Sequence, residues 1–439
     1  MLRRFSIFLT VSLVIAACDG TSESTRTSAD VTTTTTGTGT TAPPEQTTTS
    51  AGPVTTTAPD LSGVEGISDE VRAQLEELIR VAQEIRGLPF LSPPVITVVS
   101  EEELEARVRE DIAEEAADIP ADEALYEMLG LLNENGDLEQ ILLDLYGEQV
   151  AGFYDGDTGE IVVPAREDGF SVLQRGTMVH ELVHALTDQH FSFDDDFQAM
   201  IDEERLDEAS AYQALIEGDA SLAEVLWLQT LSQNEIGEFL AEGLNIDTSV
   251  LDAAPRFVRE SLTFPYDTGL AFVQDLYLGA DGWSQVNEAY EDLVELPGST
   301  EQVITPDDFQ RDLPLSVEIP AVTVPGYELE RTSVWGEQGF RLLLNQGDTE
   351  ATMPQAADGW GGDSYHQWFN GEDAALLIVF RGDSQSETDE LEQALVTFAN
   401  QTFPEDHFVW VDQLEGDLYF IASDNPLIGE QIRADVGLG

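Results

Sequence analysis

From Ser68 onward the apolar residues fall into two rhythms, one helical and one alternating, and the switches between them outline the fold. Val71, Leu75, Leu78, Ile79, Ala82 and Ile85 recur at helical spacing. Ser68-Asp69-Glu70 provides a start signal for that helix, and Gly87-Leu88-Pro89 stops it. Pro94 to Val99 reads as a strand, and Ser100-Glu101-Glu102-Glu103 as a capping box opening a helix through Leu104, Val108 and Ile112. One further helical stretch is expected over Ala121 to Leu145.

The rhythm changes at Gln149 to Val163. Val150 to Tyr154 and Glu160 to Val163 flank Asp155-Gly156-Asp157-Thr158-Gly159, which predicts a β-hairpin. Helices are expected over Ser171 to Gln189 and Glu203 to Thr230, with Phe191 to Asp207, carrying Asp194, Asp195 and Asp196, as a loop or lid. Glu203, Glu204, Asp207 and Glu208 form a charge run that reads as a solvated face. Past Pro265, helices are expected over Asp267–Leu278 and Trp283–Leu293. From Ala321 the pattern is mixed, with helices at Val334–Leu344 and Asp389–Ala399, strands at Ala374–Phe380 and Asp417–Ser423, and a Gly-rich turn at Trp360–Asp363. The class is therefore α+β, with a mainly helical part over 61–310. A mixed region over 311–439 either stands alone or completes it.

The N-terminus follows a different logic. Met1-Leu2-Arg3-Arg4, an apolar run from Phe5 to Ile15 too short to span a bilayer, and Ala16-Ala17 have the form of a secretory signal over residues 1–18. Ile15-Ala16-Ala17-Cys18 resembles the lipobox of bacterial lipoproteins. That resemblance implies diacylation of Cys18, the only cysteine, and attachment to the outer face of the cell membrane. Residues 19–60 are dominated by Thr and hold too little apolar surface to fold, so they are expected to form a disordered tether. Asp and Glu number 86 against 18 basic residues, all of them Arg, for a net charge of −68. Such a charge repels phosphate backbones, so nucleic acid is excluded as a partner, and any membrane contact must come through the lipid anchor.

The candidate chemistry lies in His180-Glu181-Leu182-Val183-His184. Positions four apart on a helix differ by about 40° around the axis and about 6 Å along it, so both imidazoles leave one face. They can converge on a single zinc ion, with Glu181 beside them to accept a proton from water. Met178, Val179, Leu182, Val183, Ala185 and Leu186 make the rest of the helix apolar, and a buried helix carrying two His and a Glu needs a reason.

Two residues compete as third ligand. His190 stands ten positions after His180, the metzincin spacing, but Thr187 replaces the glycine at which that family turns. On a continuing helix His190 lies about 9 Å past His184 and about 120° away, which suits support of a ligand from behind or a structural role at the helix end. Glu217 is the better candidate. It sits among Ala214, Leu215, Ile216 and Ala220, where an uncompensated carboxylate is destabilising, and the adjacent Gly218 marks close approach by a neighbour.

His180-Glu181-x-x-His184 followed by Glu217-Gly218-x-Ala220 resembles the gluzincin metallopeptidases, with a longer gap between the two motifs than the thermolysin-like and aminopeptidase groups. The resemblance implies a zincin-like core, His180, His184 and Glu217 as ligands of one Zn2+, and Glu181 as general base. Asp219 would orient a ligand imidazole. Tyr154 would lie on an edge strand that pairs with an extended peptide or protein substrate, and Tyr365 or His366 would face the zinc as general acid. Segments Ile85–Phe90, His180–Phe191, Pro297–Gln302 and Gly359–Asp363 are also similar to uncharacterised bacterial lipoproteins bearing the motif. The activity expected is zinc-dependent peptide hydrolysis. The rivals are a non-catalytic zinc-binding envelope lipoprotein and a zinc amidase acting on cell-wall material.

Overall fold

A computed structural model describes the backbone of residues 7–11 and residues 61, 64, 67–114, 119–133, 136–164, 169–279, 282–291, 297–307, 309–346 and 353–438. Cys18 and the tether over 19–60 lie outside the described residues. Among the described residues, no helix is long and apolar enough to cross a membrane.

The first helix, Asp69–Arg86, begins at Ser68, whose hydroxyl accepts the Val71 N–H, and ends at Gly87 with φ 76°. Strand Val95–Val99 and helix Glu101–Glu114 follow, the helix opened by the Ser100 hydroxyl accepting the Glu103 N–H. The single helix expected over 121–145 is instead two, Ile119–Met128 and Leu138–Gln149. Gly130 takes φ 70° and ends the first. The Asp137 carboxylate accepts the Gln140 N–H and starts the second.

The hairpin forms from strands Val150–Asp155 and Glu160–Pro164, with Asp155 accepting the Thr158 N–H across the turn. Glu160–Pro164 also pairs in parallel with Val95–Val99, and Val150–Asp155 pairs antiparallel with Ile7–Val11 on its outer side. The sheet order is thus 7–11, 150–155, 160–164, 95–99. Helix Val172–Phe191 packs on this sheet, and helices Leu206–Leu228 and Arg256–Gly279 stack beyond it in one apolar core.

The expected lid over 191–207 is largely a helix, Phe193–Asp202. Phe193, Phe197, Met200 and Ile201 recur on one face and are buried, which holds the segment against the core. Asp207 departs from the solvated-face expectation too, since it is buried at the start of its helix. There it accepts the hydroxyl of Thr300 at 2.6 Å and the Thr300 N–H at 3.2 Å.

The C-terminal part is a five-stranded antiparallel sheet in the order Glu328–Ser333, Trp360–Phe369, Ala374–Gly382, Asp417–Ser423, Phe408–Leu414. Strand 374–382 alternates in textile fashion. Leu376, Ile378 and Phe380 face helices Gly336–Leu344 and Gln385–Thr402, while Leu377 and Val379 face helix Pro426–Asp435. Residues 360–363, expected as a turn, instead begin a strand. The Asp363 carboxylate accepts the N–H groups of Trp335 and Gly336 and the Trp360 indole N–H, and Gly362 presses on the Leu315 carbonyl where a Cβ would stand 2.2 Å away. This sheet does not close its core alone. Leu125, Leu129, Leu145, Phe257 and Val258 from the helical part share a cluster with Phe340, Leu395 and Phe420.

Candidate metal centre

Ser171 caps helix Val172–Phe191 reciprocally with Gln174, fixing where the helix starts and hence which side each residue faces. Val172 and the run from Gly176 to Thr187 are buried. His180 is 1% exposed, and Glu181, His184 and Glu217 are fully buried. Glu217 comes from the middle of helix Leu206–Leu228, which packs across the first.

The Nε2 atom of His180 stands 3.0 Å from Oε2 of Glu217, and Nε2 of His184 stands 3.4 Å from the same oxygen. The imidazole rings are 4.6 Å apart and inclined at 77°. Among the described residues this is the one group of three His, Cys, Asp or Glu whose ligand atoms lie within 4.8 Å of one another. Two donors bound to tetrahedral zinc at about 2.0–2.1 Å are about 3.3 Å apart, so the donor types and the two His–Glu217 spacings are compatible with zinc. Burial would push the Glu217 carboxyl up, but His184 and His180 overcome it and hold it at about 2.

Glu181 lies beside the cluster without joining it. No side chain hydrogen-bonds to its carboxylate oxygens, and the backbone N–H of Tyr154 is the one group near enough to favour the charged form. Burial, then the charges of Glu217 and Glu224, push it well above the usual carboxylate range. A nearby cation would oppose that shift by favouring the charged carboxylate.

Glu217 is steadied from behind. Tyr266, on helix Arg256–Gly279, donates its hydroxyl hydrogen to Oε1 of Glu217 at 3.1 Å. The two helices come this close because glycines face each other. A Cβ on Gly218 would stand 2.2 Å from the Gly269 carbonyl oxygen, and one on Gly269 would stand 2.2 Å from that of Ala214. Gly218 thus marks close approach by a neighbour, as its place in the sequence suggests.

The orienting carboxylate differs from the expected one. Asp219 accepts from Nε of the buried Arg86 at 2.7 Å and 3.0 Å, and Arg86 lies over the Trp283 ring. It is therefore occupied in tying the first helix to the Glu217 helix. The group facing Nδ1 of His180 is Glu224, at 3.8 Å, which reaches in over Gly176, where a Cβ would stand 2.8 Å from its carboxylate. Glu224 stands seven residues after Glu217, on the same helix face, and that spacing was the available sequence signal. Tyr266 carried no such signal, since only the Gly218–Gly269 crossing brings it to Glu217.

The remaining candidates scatter. His190 donates from Nε2 to the Pro89 carbonyl at 2.7 Å and sits apart from the three ligands, in a helix-end role. Tyr154 lies beside His184, with ring centres 6.5 Å apart, and donates its hydroxyl to Asp188 at 2.7 Å. The outer flank of its strand pairs with Ile7–Val11, Tyr154 opposite Phe8, within the segment expected as the secretory signal, whose removal at Cys18 would free that edge. Tyr365 and His366 belong to the C-terminal sheet. Tyr365 packs edge-on against Trp335 and His366 against Trp368, so the structure does not bring them to the three ligands as the resemblance implies.

Residues 323–425 match a family described as Domain of unknown function (DUF8575), a span that holds all five strands of the C-terminal sheet and none of the His180, His184 and Glu217 cluster. No curated protein and no solved structure matches the chain.

Proposed function

We propose that the protein is a zinc-dependent peptidase, exported and held at the outer face of the cell membrane through Cys18. The observation that carries this reading is the buried set of His180, His184 and Glu217 from two helices, with the Glu181 carboxylate, which no side chain hydrogen-bonds, next to it. Two imidazoles and a carboxylate form a donor set typical of catalytic zinc, and a lone buried carboxylate beside them suits a base.

A zinc ion held by these three side chains would lower the pKa of water toward about 7 and polarise a carbonyl oxygen. Glu181 takes a proton from the attacking water as its oxygen adds to the peptide carbonyl carbon. It then delivers that proton to the amide nitrogen as the C–N bond breaks. Tyr266 keeps Glu217 from rotating by holding Oε1, which leaves Oε2 toward the imidazoles. Glu224 faces the outer nitrogen of His180 and favours its Nδ1–H tautomer, which turns the Nε2 lone pair toward Glu217.

The deciding experiment measures zinc content and cleavage of a diverse peptide library by the full-length chain, its Glu217→Ala variant and its Glu181→Gln variant. Expected are bound zinc and cleavage in the wild type, weak zinc binding in Glu217→Ala, and bound zinc without turnover in Glu181→Gln. Zinc without cleavage of peptides or of peptidoglycan fragments would mean a non-catalytic metal protein. Cleavage of peptidoglycan fragments alone would mean a cell-wall amidase.

A further inference from the structure

The hairpin turn, the end of helix Val172–Phe191 and the start of helix Phe193–Asp202 meet at a second cluster, built from carboxylates alone. Asp155 and Asp157 belong to the hairpin, Asp188 to the last turn of the first helix and Asp194 to the first turn of the next. Asp194 is only 6% exposed, and its Oδ1 is buried without a hydrogen-bond partner. That oxygen is aimed at the hairpin turn, since a Cβ on Gly156 would stand 2.2 Å from it, and only glycine lets the turn come this close. Asp188 accepts the Tyr154 hydroxyl at 2.7 Å and the Asp194 N–H at 3.2 Å. Asp155 accepts the Thr158 N–H and hydroxyl. All of these donors are uncharged, and each carboxylate keeps lone pairs to spare. Burial, then the charges of Asp188, Asp157, Asp195 and Asp155, push the Asp194 carboxyl up to about 7. The helix dipole accounts for the exposed Asp195 at an N-terminus, but it is adverse to Asp188 at a C-terminus. An unpaired buried carboxylate oxygen among like charges is destabilising, and a cation in their midst offsets it.

We propose that this cluster is a calcium site, with Asp188 and Asp194 as fixed ligands, Asp155 and Asp157 closing over the ion from the turn, and water completing the shell. It does not depend on the zinc reading. Carboxylates without nitrogen or sulfur form a hard donor set, and calcium takes about 6–8 oxygens at about 2.3–2.6 Å in flexible geometry. No three of these carboxylates offer oxygens all within 4.8 Å of one another, a looser spacing than that of the His180 cluster. It suits the larger ion, whose opposite ligands stand about 5 Å apart, and the exposed Asp157 can swing inward. An ion held here clamps strand Val150–Asp155, and with it Tyr154 beside His184, to the C-terminal end of the helix carrying both imidazoles. Extracellular modules bind calcium with a Kd of about 10⁻⁴–10⁻³ M, and a site closed in part by an exposed turn belongs in that range.

Calcium chloride titrated into the full-length chain in detergent, at pH 8 and fixed ionic strength, tests this by calorimetry and by Tm. The wild type should show one saturable binding event and a rise in Tm, with a weaker response to magnesium chloride at the same concentration. Asp194→Asn should weaken calcium binding at least about tenfold, because affinity follows the number of charged ligands. Glu405→Gln, which removes an exposed acid elsewhere, should leave it unchanged. Asp194→Asn should also invert the order of stability. Without calcium its Tm should equal or exceed that of the wild type, since a like charge is gone, and with calcium it should fall below. If Asp194→Asn does not fold, Asp157→Asn at the exposed turn supplies the same comparison of affinities. Absence of saturable binding overturns the site. So does an equal response to magnesium, or calcium affinity no weaker in the Asp194 or Asp157 variant than in Glu405→Gln, since either means diffuse screening of the acidic surface.

Discussion

The hydroxyl of Tyr266 points at Oε1 of Glu217, 3.1 Å away, while both imidazoles of the cluster face Oε2. One carboxylate is thus gripped at one oxygen and presented with the other. Neither residue could do this from its own helix, and the Gly218–Gly269 contact makes the arrangement possible.

Tyr266→Phe removes that grip without opening a large space. Zinc affinity should fall about 10- to 100-fold, the usual range for loss of a ligand's supporting partner. Competition against a chromophoric chelator measures it, and an unchanged circular dichroism spectrum shows that the fold is intact. Unaltered affinity would remove Tyr266 from the metal centre.

Metal removal should destabilise the folded chain. A ligand that binds only the native state adds about 2.7 kcal/mol at a free concentration a hundredfold above its Kd. Scanning calorimetry with zinc and then with excess chelator should show a lower Tm in the second case. The Glu217→Ala variant should show little difference between the two.

Gly269→Ala tests the helix crossing. Its new Cβ would lie 2.2 Å from the Ala214 carbonyl oxygen, a backbone atom that cannot swing aside. Overpacking of this kind costs about 1–3 kcal/mol, so urea denaturation should show a lower midpoint. A stability equal to wild type would mean that the two helices are not in contact there.

The dependence of stability on pH has a defined direction at Asp207. Burial is the main cause that raises its carboxyl to about 7, with Asp363 and Glu337 adding to it and Thr300 opposing. The folded chain therefore holds this proton when the unfolded chain has released it. The contribution is complete below the unfolded value near 4 and is lost as pH rises through about 7. Tm measured across that window should fall for the wild type, and the fall should be shallower for Asp207→Asn. An equal slope would show that Asp207 is ionised throughout.

The legible parts of this chain were those written in short-range spacing. His180 and His184 share a buried face because four residues make about one helical turn, and Glu181 follows on the adjacent side of the same buried helix. Glu217 stood out as a charge among apolar neighbours, and strand 417–423 was readable from its continuous apolar run between turn residues. What escaped depends on contacts distant in sequence. Tyr266 lies 49 residues from Glu217, and Arg86 lies 133 from the Asp219 it pairs with, so no local pattern joins either pair. The turn expected at 360–363 became a strand because Asp363 is satisfied by the backbone of residues 335 and 336, a partner that periodicity cannot reveal. The lid expected after Phe191 folded up because its acidic stretch hid an apolar face at Phe193, Phe197 and Met200.

The crossing at Gly218 and Gly269 acts as a pivot. Glu217 sits one residue from it on one helix, and Tyr266 sits about 4.5 Å along the axis from it on the other. With backbone pressed on backbone there is no soft side chain to absorb a small rotation. Any tilt of the 256–279 helix, whether driven by temperature or by a mutation, swings the Tyr266 hydroxyl and hence the oxygen it holds. Tyr266 and Glu217 therefore move on a common lever, and neither can be re-aimed while the other stays still.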